Sequence, residues 1–184
     1  RVLYLDPDMV INGPLEDLYQ TPLDGWLFAA ASHLGRFFSA VNRSRLDMEK
    51  GSLYINSGVM LFNLERLRRD EAAVFQYIQT HRDKLLLPDQ DIISSLYEGS
   101  ILPLDPFVYN MTEKLFALRP RSEAWLNLNW VREHTVIIHY CGRNKPWKEN
   151  YIGALGVFYR EAAALLEDGN HPNLFGGRSV QDGK

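Results

Sequence analysis

The sequence contains one cysteine, Cys141, among 184 residues. That excludes an internal disulfide and fits a reducing compartment. Long apolar runs are also missing, and nothing approaches the roughly 20 residues of a membrane-spanning helix. Lysine and arginine are scattered through a chain of net charge −3 and form no dense basic cluster. A protein that grips a nucleic-acid backbone needs a basic face, so no nucleic-acid partner is expected. A glycine-rich phosphate loop is absent as well. No signal peptide is visible, and the chain starts with Arg1 rather than methionine, which points to a fragment or a processed product.

What is present suffices for one domain with a sizeable core, since 46% of the residues are apolar. No repeat, low-complexity tract or linker divides the chain. VLYL (residues 2–5) reads as a short buried strand, GPLEDLYQ as a short helix with Pro14 at its start, and WLFAAA as a second buried strand. Residues 33–50 read as a loop or broken helix. GVMLFN reads as a third strand after a turn at Asn56-Ser57-Gly58. Residues 64–85 read as one amphipathic helix, and Pro88 opens another that Gly99 closes. ILPL and TVIIHY are further strands, and residues 153–169 an amphipathic helix. The segment 122–134 is expected to be a helix that packs on the sheet or shapes a cleft. Residues 170–184 read as a loose tail after a domain spanning 1–169. Strands alternating with helices make the class α/β, with a mixed sheet flanked by helices.

Ligands of such sheets bind beyond the carboxyl ends of strands. Asp6-Pro7-Asp8 and His139 both stand at such ends. On an extended segment, residues two apart point the same way, and the proline fixes the backbone between them. Two carboxylates so placed can hold one hard divalent cation, although Asp-Pro-Asp alone also fits a turn. His139 changes the balance by offering a third ligand, and oxygen plus one imidazole suits Mn²⁺. Such a site needs a neutral histidine, so metal affinity should fall below about pH 6. In GRNKPW, Gly142 permits close backbone approach and Lys145 could pair with a diphosphate, or be an ordinary surface lysine. Asn56, Asp89 and Gln90 have the donors and acceptors that sugar hydroxyls need, yet each also fits a turn or cap. Asp91 reads as helix-start structure.

Four blocks in order, YLDPD, YINSGVMLFNLERLR, LPDQDII and IIHYCGRNKPW, resemble those of glycosyltransferase family 8, whose members are retaining transferases using nucleotide-sugar donors. The similarity runs from Val2 to about Trp147. It implies a GT-A type fold, with Asp6, Asp8 and His139 holding Mn²⁺ (Mg²⁺ as the other candidate). Asp8, Gly142 and Lys145 would meet the diphosphate. Asn56, Asp89 and Gln90 would hold the donor sugar, with Gln90 near the anomeric carbon, and Gln90 and Asp89 are the catalytic candidates. The family domain begins roughly a hundred residues earlier, so the base-binding portion is expected to be missing and donor binding by this chain to be weak. The segment 122–134 matches no family block.

The implied reaction is transfer of a hexose, glucose or galactose, from a UDP-sugar to a glycan, lipid or protein. Front-face attack is preferred to double displacement, because Gln90 is an amide and Asp89 is assigned to hydroxyl binding. A cytoplasmic setting is expected, with membrane-peripheral attachment and a lumenal location as the alternatives. Three other readings stay open: a metal-dependent nucleotidyltransferase or pyrophosphatase, a non-catalytic binding module, and an inactive fragment of the same fold.

Overall fold

The computed structural model describes residues 1–32, 36–117 and 125–167, with backbone alone for 36–38. The chain opens with strands β1 (Val2–Leu5) and β2 (Met9–Ile11), then helix α1 (Glu16–Gln20), β3 (Phe28–Ser32) and α2 (Arg36–Arg45). There follow β4 (Ile55–Phe62), α3 (Leu64–Leu67), α4 (Glu71–His81), a 3₁₀ turn and α5 (Pro88–Leu96). After β5 (Ile101–Leu104) come α6 (Pro106–Tyr109), β6 (Met111–Thr112), α7 (Glu113–Ala117), α8 (Leu128–His134), β7 (Ile137–His139) and α9 (Gly156–Glu167).

The strands form two mixed sheets. One has the order β1-β4-β3-β5, antiparallel except for the β3–β5 pair. The other has the order β2-β7-β6, with β2 antiparallel and β6 parallel to β7. Asp6-Pro7-Asp8 is the joint at which the chain leaves the first sheet and enters the second. Proline suits that place, because a residue without an N–H loses nothing where the ladder is interrupted.

β3 is buried on both faces, which is why it reads as a continuous apolar run. Ala29 and Ala31 pack with Leu18, Val59, Leu61 and Ile137. Phe28 and Ala30 face the other way, toward Met60, Tyr97 and Ile101. A third cluster gathers Met111, Val131, Ile138, Tyr140, Leu155 and Phe158 around β7. Ile137 and Ile138 therefore serve different clusters, and the strand between them delivers His139 to the seam between the two sheets.

Several local expectations change. β1 is not buried throughout: Leu3 and Leu5 pack inward while Val2 and Tyr4 are exposed. The turn expected at Asn56-Ser57-Gly58 lies inside β4, at the register shift between its Met60–Ala30 and Ile55–Ser32 pairs with β3, so the local irregularity is absorbed as a bulge within the strand. The single helix expected over 64–85 breaks between Leu67 and Glu71. Leu67 and Val74 still pack on one cluster, so apolar spacing gives no sign of the break. Within 33–50, read as a loop or broken helix, residues 36–45 are helical and residues 33–35 lie outside the described residues. Asn127 caps α8 through the amides of Asn129 and Trp130, which realises the helical part of 122–134. Residues 122–124 and the tail 170–184 lie outside the described residues. Among the described residues, no helix is long and apolar enough to cross a membrane.

Candidate active site

Backbone pairing assembles the site. Asp6 N–H donates to the Gly58 carbonyl at 2.9 Å, and Tyr140 N–H to the Asp8 carbonyl at 2.9 Å. Met9 lies opposite His139 in the β2–β7 ladder. The aspartates occupy a bend rather than the extended segment expected, yet their carboxylates converge. His139 Nε2 stands 3.6 Å from Asp6 Oδ2 and 3.4 Å from Asp8 Oδ1. One ligand atom from each residue lies within 4.8 Å of the others.

This approach requires a glycine at position 58. A Cβ there would fall 2.3 Å from His139 Cε1 and 2.9 Å from Asp6 Oδ2. The imidazole is thus packed against bare backbone, at a spacing any side chain would forbid. His139 is 1% exposed, and its Nε2 has no hydrogen-bond partner. Burial pushes the histidine below its ordinary pKa, against the upward pull of Asp8 and Asp6. An unpartnered nitrogen facing two carboxylates is costly unless a cation sits among them. The residues therefore fit a divalent ion.

The opposite nitrogen is occupied. His139 Nδ1 lies 2.9 Å from Asn110 Oδ1, and Asn110 Nδ2 donates to Asn56 Oδ1 at 3.0 Å. Asn56 Oδ1 also accepts from Gly58 N–H at 3.1 Å. The sugar-site candidate Asn56 is thereby joined to the histidine through a residue that no sequence signal marked.

Lys145 reaches the same cluster. Its ammonium pairs with Asp8 and donates to the Tyr140 carbonyl at 2.9 Å, and it lies 5.6 Å from the Trp147 ring centre. Gly142, in the left-handed region at φ +84°, turns the chain after β7 so that this loop folds back. Tyr4, missed as a site residue, donates to Asp6 Oδ1 at 2.9 Å. Its hydroxyl is held above the usual pKa by that bond first, and by the charges of Asp6, Asp89 and Asp8.

Asp89 and Gln90 lie on the first turn of α5 and are not members of the metal-ligand group, although the Asp89 charge reaches Tyr4. Asp89 is exposed, whereas Gln90 is 5% exposed with its Nε2 unpartnered. Ser94 Oγ accepts from Ile55 N–H at 3.1 Å and ties α5 to β4 beside Asn56. Asp91 is wholly buried and fully used: it accepts from Arg45 (2.7 and 3.0 Å), Tyr54 (2.6 Å) and the amides of Leu86 and Leu87 (2.7 and 2.9 Å). Burial would raise its pKa, but these donors outweigh burial and hold the carboxyl below the usual range.

Fold and site together define a chain of the GT-A type, in which two mixed sheets meet at an acidic joint. The chain belongs to glycosyl transferase family 8: residues 1–151 match the family model. It is 27% identical over 156 residues to General stress protein A of Bacillus subtilis (strain 168), covering 82% of this chain and 54% of that protein. It is 28% identical over 168 residues to the lipopolysaccharide 1,2-glucosyltransferase of Escherichia coli (strain K12), covering 88% of this chain and 48% of that protein. Among solved structures it resembles the galactosyltransferase LgtC in complex with donor and acceptor sugar analogues, with TM-score 0.71 and 24% identity over 89% of this chain and 60% of that one. The chain thus spans about half the length of these curated relatives.

Proposed function

We propose that this chain carries the metal, diphosphate and sugar side of a retaining hexosyltransferase that uses a UDP-sugar and Mn²⁺. The observation that carries this is the unpartnered Nε2 of buried His139, aimed at Asp6 and Asp8. Asp6, Asp8 and His139 would hold the ion, and oxygen with one imidazole favours manganese over calcium, with magnesium the second candidate. Bound there, the ion would neutralise the departing nucleoside diphosphate. Lys145 places a second positive charge beside the same leaving group, and Gly142 lets the backbone approach it.

Asn56, Asp89 and Gln90 are assigned to the donor sugar. The bond from the anomeric carbon to the diphosphate breaks as the acceptor oxygen bonds to that carbon from the same face. The acceptor's proton passes to the leaving phosphate oxygen. The full engagement of Asp91 supports front-face attack, since it leaves no buried carboxylate on α5 free to act as nucleophile. Glucose or galactose as donor and a cell-surface glycan as acceptor are supported by the names of the relatives, lipopolysaccharide glucosyltransferases and a galactosyltransferase. Lipid and protein acceptors are the other classes. Such work would be done in the cytoplasm, with the membrane periphery the alternative setting.

Calorimetric titration of UDP, with and without Mn²⁺ and with His139→Ala as control, tests this reading. Manganese-dependent binding that the variant loses is the expected result. Equal binding by the variant, or binding indifferent to manganese, would overturn it.

A further inference from the structure

We propose that Asn110 is a positioning residue that sets both the tautomer of His139 and the orientation of the Asn56 carboxamide, so that one buried amide orients the metal side and the sugar side together. The inference rests on the metal reading above for its consequence, but its geometry stands independently.

The Gly58 amide can only donate, so the Asn56 atom 3.1 Å from it is the oxygen. The Asn110 atom 3.0 Å from that same oxygen must then be the NH₂ group. The other end of the Asn110 carboxamide is its carbonyl oxygen, which faces His139 Nδ1 at 2.9 Å. An acceptor there requires the proton on Nδ1. Nε2 is left with its lone pair directed at Asp6 and Asp8, the form a metal ligand needs.

Without Asn110 nothing would hold the proton on Nδ1. The two carboxylates, 3.4 and 3.6 Å from Nε2, would draw it to that side and turn the ligand into a donor. Asn110 is suited to the task because it is 3% exposed and both ends of its carboxamide are hydrogen-bonded. It caps α6 and leads into β6, whose Thr112 pairs with His139 itself. The same network fixes what Asn56 can offer. Its Oδ1 already accepts two hydrogen bonds, so only its NH₂ remains for a ligand. Asn56 would therefore meet a sugar hydroxyl as a donor to the hydroxyl oxygen.

Two variants separate these effects. Asn110→Asp keeps an acceptor for His139 Nδ1–H but removes the donor to Asn56. Asn110→Leu removes both. Ring ¹⁵N spectra of the metal-free protein, at about pH 8 where histidine is neutral, report the tautomer directly, with His139→Ala assigning the signal. Wild type and Asn110→Asp should show Nδ1–H, and Asn110→Leu should show Nε2–H. In Mn²⁺ titrations Asn110→Asp should stay near wild type, while Asn110→Leu should weaken by about 10–100-fold, the usual effect of losing an outer-shell partner. Both variants should lose the extra affinity of a UDP-hexose over UDP. Thermal melts of both variants report whether each is folded.

An Nε2–H tautomer in wild type would overturn the proposal, and so would wild-type manganese affinity in folded Asn110→Leu. If Asn110→Leu fails to fold, the wild-type tautomer and the split between metal and sugar affinity in Asn110→Asp decide the matter. Tautomer control by Asn110 in a protein that takes up no manganese would support the positioning role and overturn the metal reading instead.

Discussion

Lys145 bridges the Asp8 carboxylate and the Tyr140 carbonyl, so a cation from the loop after β7 is fastened to the acidic joint between the two sheets. Asp8 therefore faces His139 on one side and Lys145 on the other. Lys145→Ala should slow turnover by about 10²–10³-fold, as when one electrostatic stabiliser of a leaving group is removed. Asp8→Ala should abolish metal-dependent turnover while the protein still melts cooperatively. Pre-steady-state transfer rates with a UDP-hexose check both, and wild-type kcat in either variant would remove that residue from the mechanism.

Gly58→Ala places a methyl group where the His139 ring now lies. The ring or β4 must shift, at a cost of about 1–3 kcal/mol in stability. Manganese affinity should fall by about 10–100-fold as the imidazole loses its alignment. Titration followed by electron paramagnetic resonance would show this, and unchanged affinity would mean that the cradle does not position the ligand.

Asp91→Ala should destabilise the protein by about 3–5 kcal/mol, because it strands Arg45 and frees the two amides that lead into α5. The pH dependence follows from the lowered carboxyl. A carboxyl whose folded pKa is depressed contributes stability that is fully present above its unfolded value, about 3.9, and lost as pH falls through the folded value. Denaturation midpoints of wild type should therefore drop steeply below about pH 4, and those of the variant more gently. Parallel acid profiles would contradict the assignment.

Glu113→Ala should loosen the loop that carries Lys145. Glu113 accepts from Tyr151 hydroxyl (2.7 Å), Ala154 N–H (2.7 Å) and Leu155 N–H (2.9 Å). Burial, then the bond to Glu113, holds the Tyr151 hydroxyl well above its usual pKa, so it remains a donor. Asn144 closes the other end by exchanging hydrogen bonds with Ile152. Loss of the Glu113 carboxylate should cost about 1–3 kcal/mol. Amide exchange at Ala154 and Leu155 should accelerate, and UDP affinity should fall. Protected amides in the variant would show the loop to be held by other contacts.

Much of the fold was legible because its signals are local. Apolar runs marked β1, β3, β4 and β5, Pro88 marked the start of α5, and residue periodicity marked α9. The metal-ligand candidates were legible because Asp6, Asp8 and His139 end apolar strands, and Lys145 because it follows one. Other features had no local signature. Asn110 reads as one polar residue after a short aromatic stretch, and nothing in its neighbours says that it will meet His139. Tyr4 reads as a strand residue and Gly58 as a turn residue. The break between α3 and α4 leaves the apolar spacing intact.

The sequence by itself determined the chemical inventory and its order: two carboxylates around a proline, a histidine at a strand end, a lysine after a glycine turn, and the blocks that resemble one family. Each of these is a property of adjacent residues, where backbone preference and side-chain chemistry act directly. Only the tertiary structure decided that Asp6-Pro7-Asp8 is the joint between two sheets, that Met9 pairs with His139, and that Gly58 and Asn110 both close on the Nδ1–Cε1 part of one imidazole. Those facts depend on strand pairing and register between distant segments. Register is chosen by which faces the whole chain can bury at once, and no local pattern names the partner.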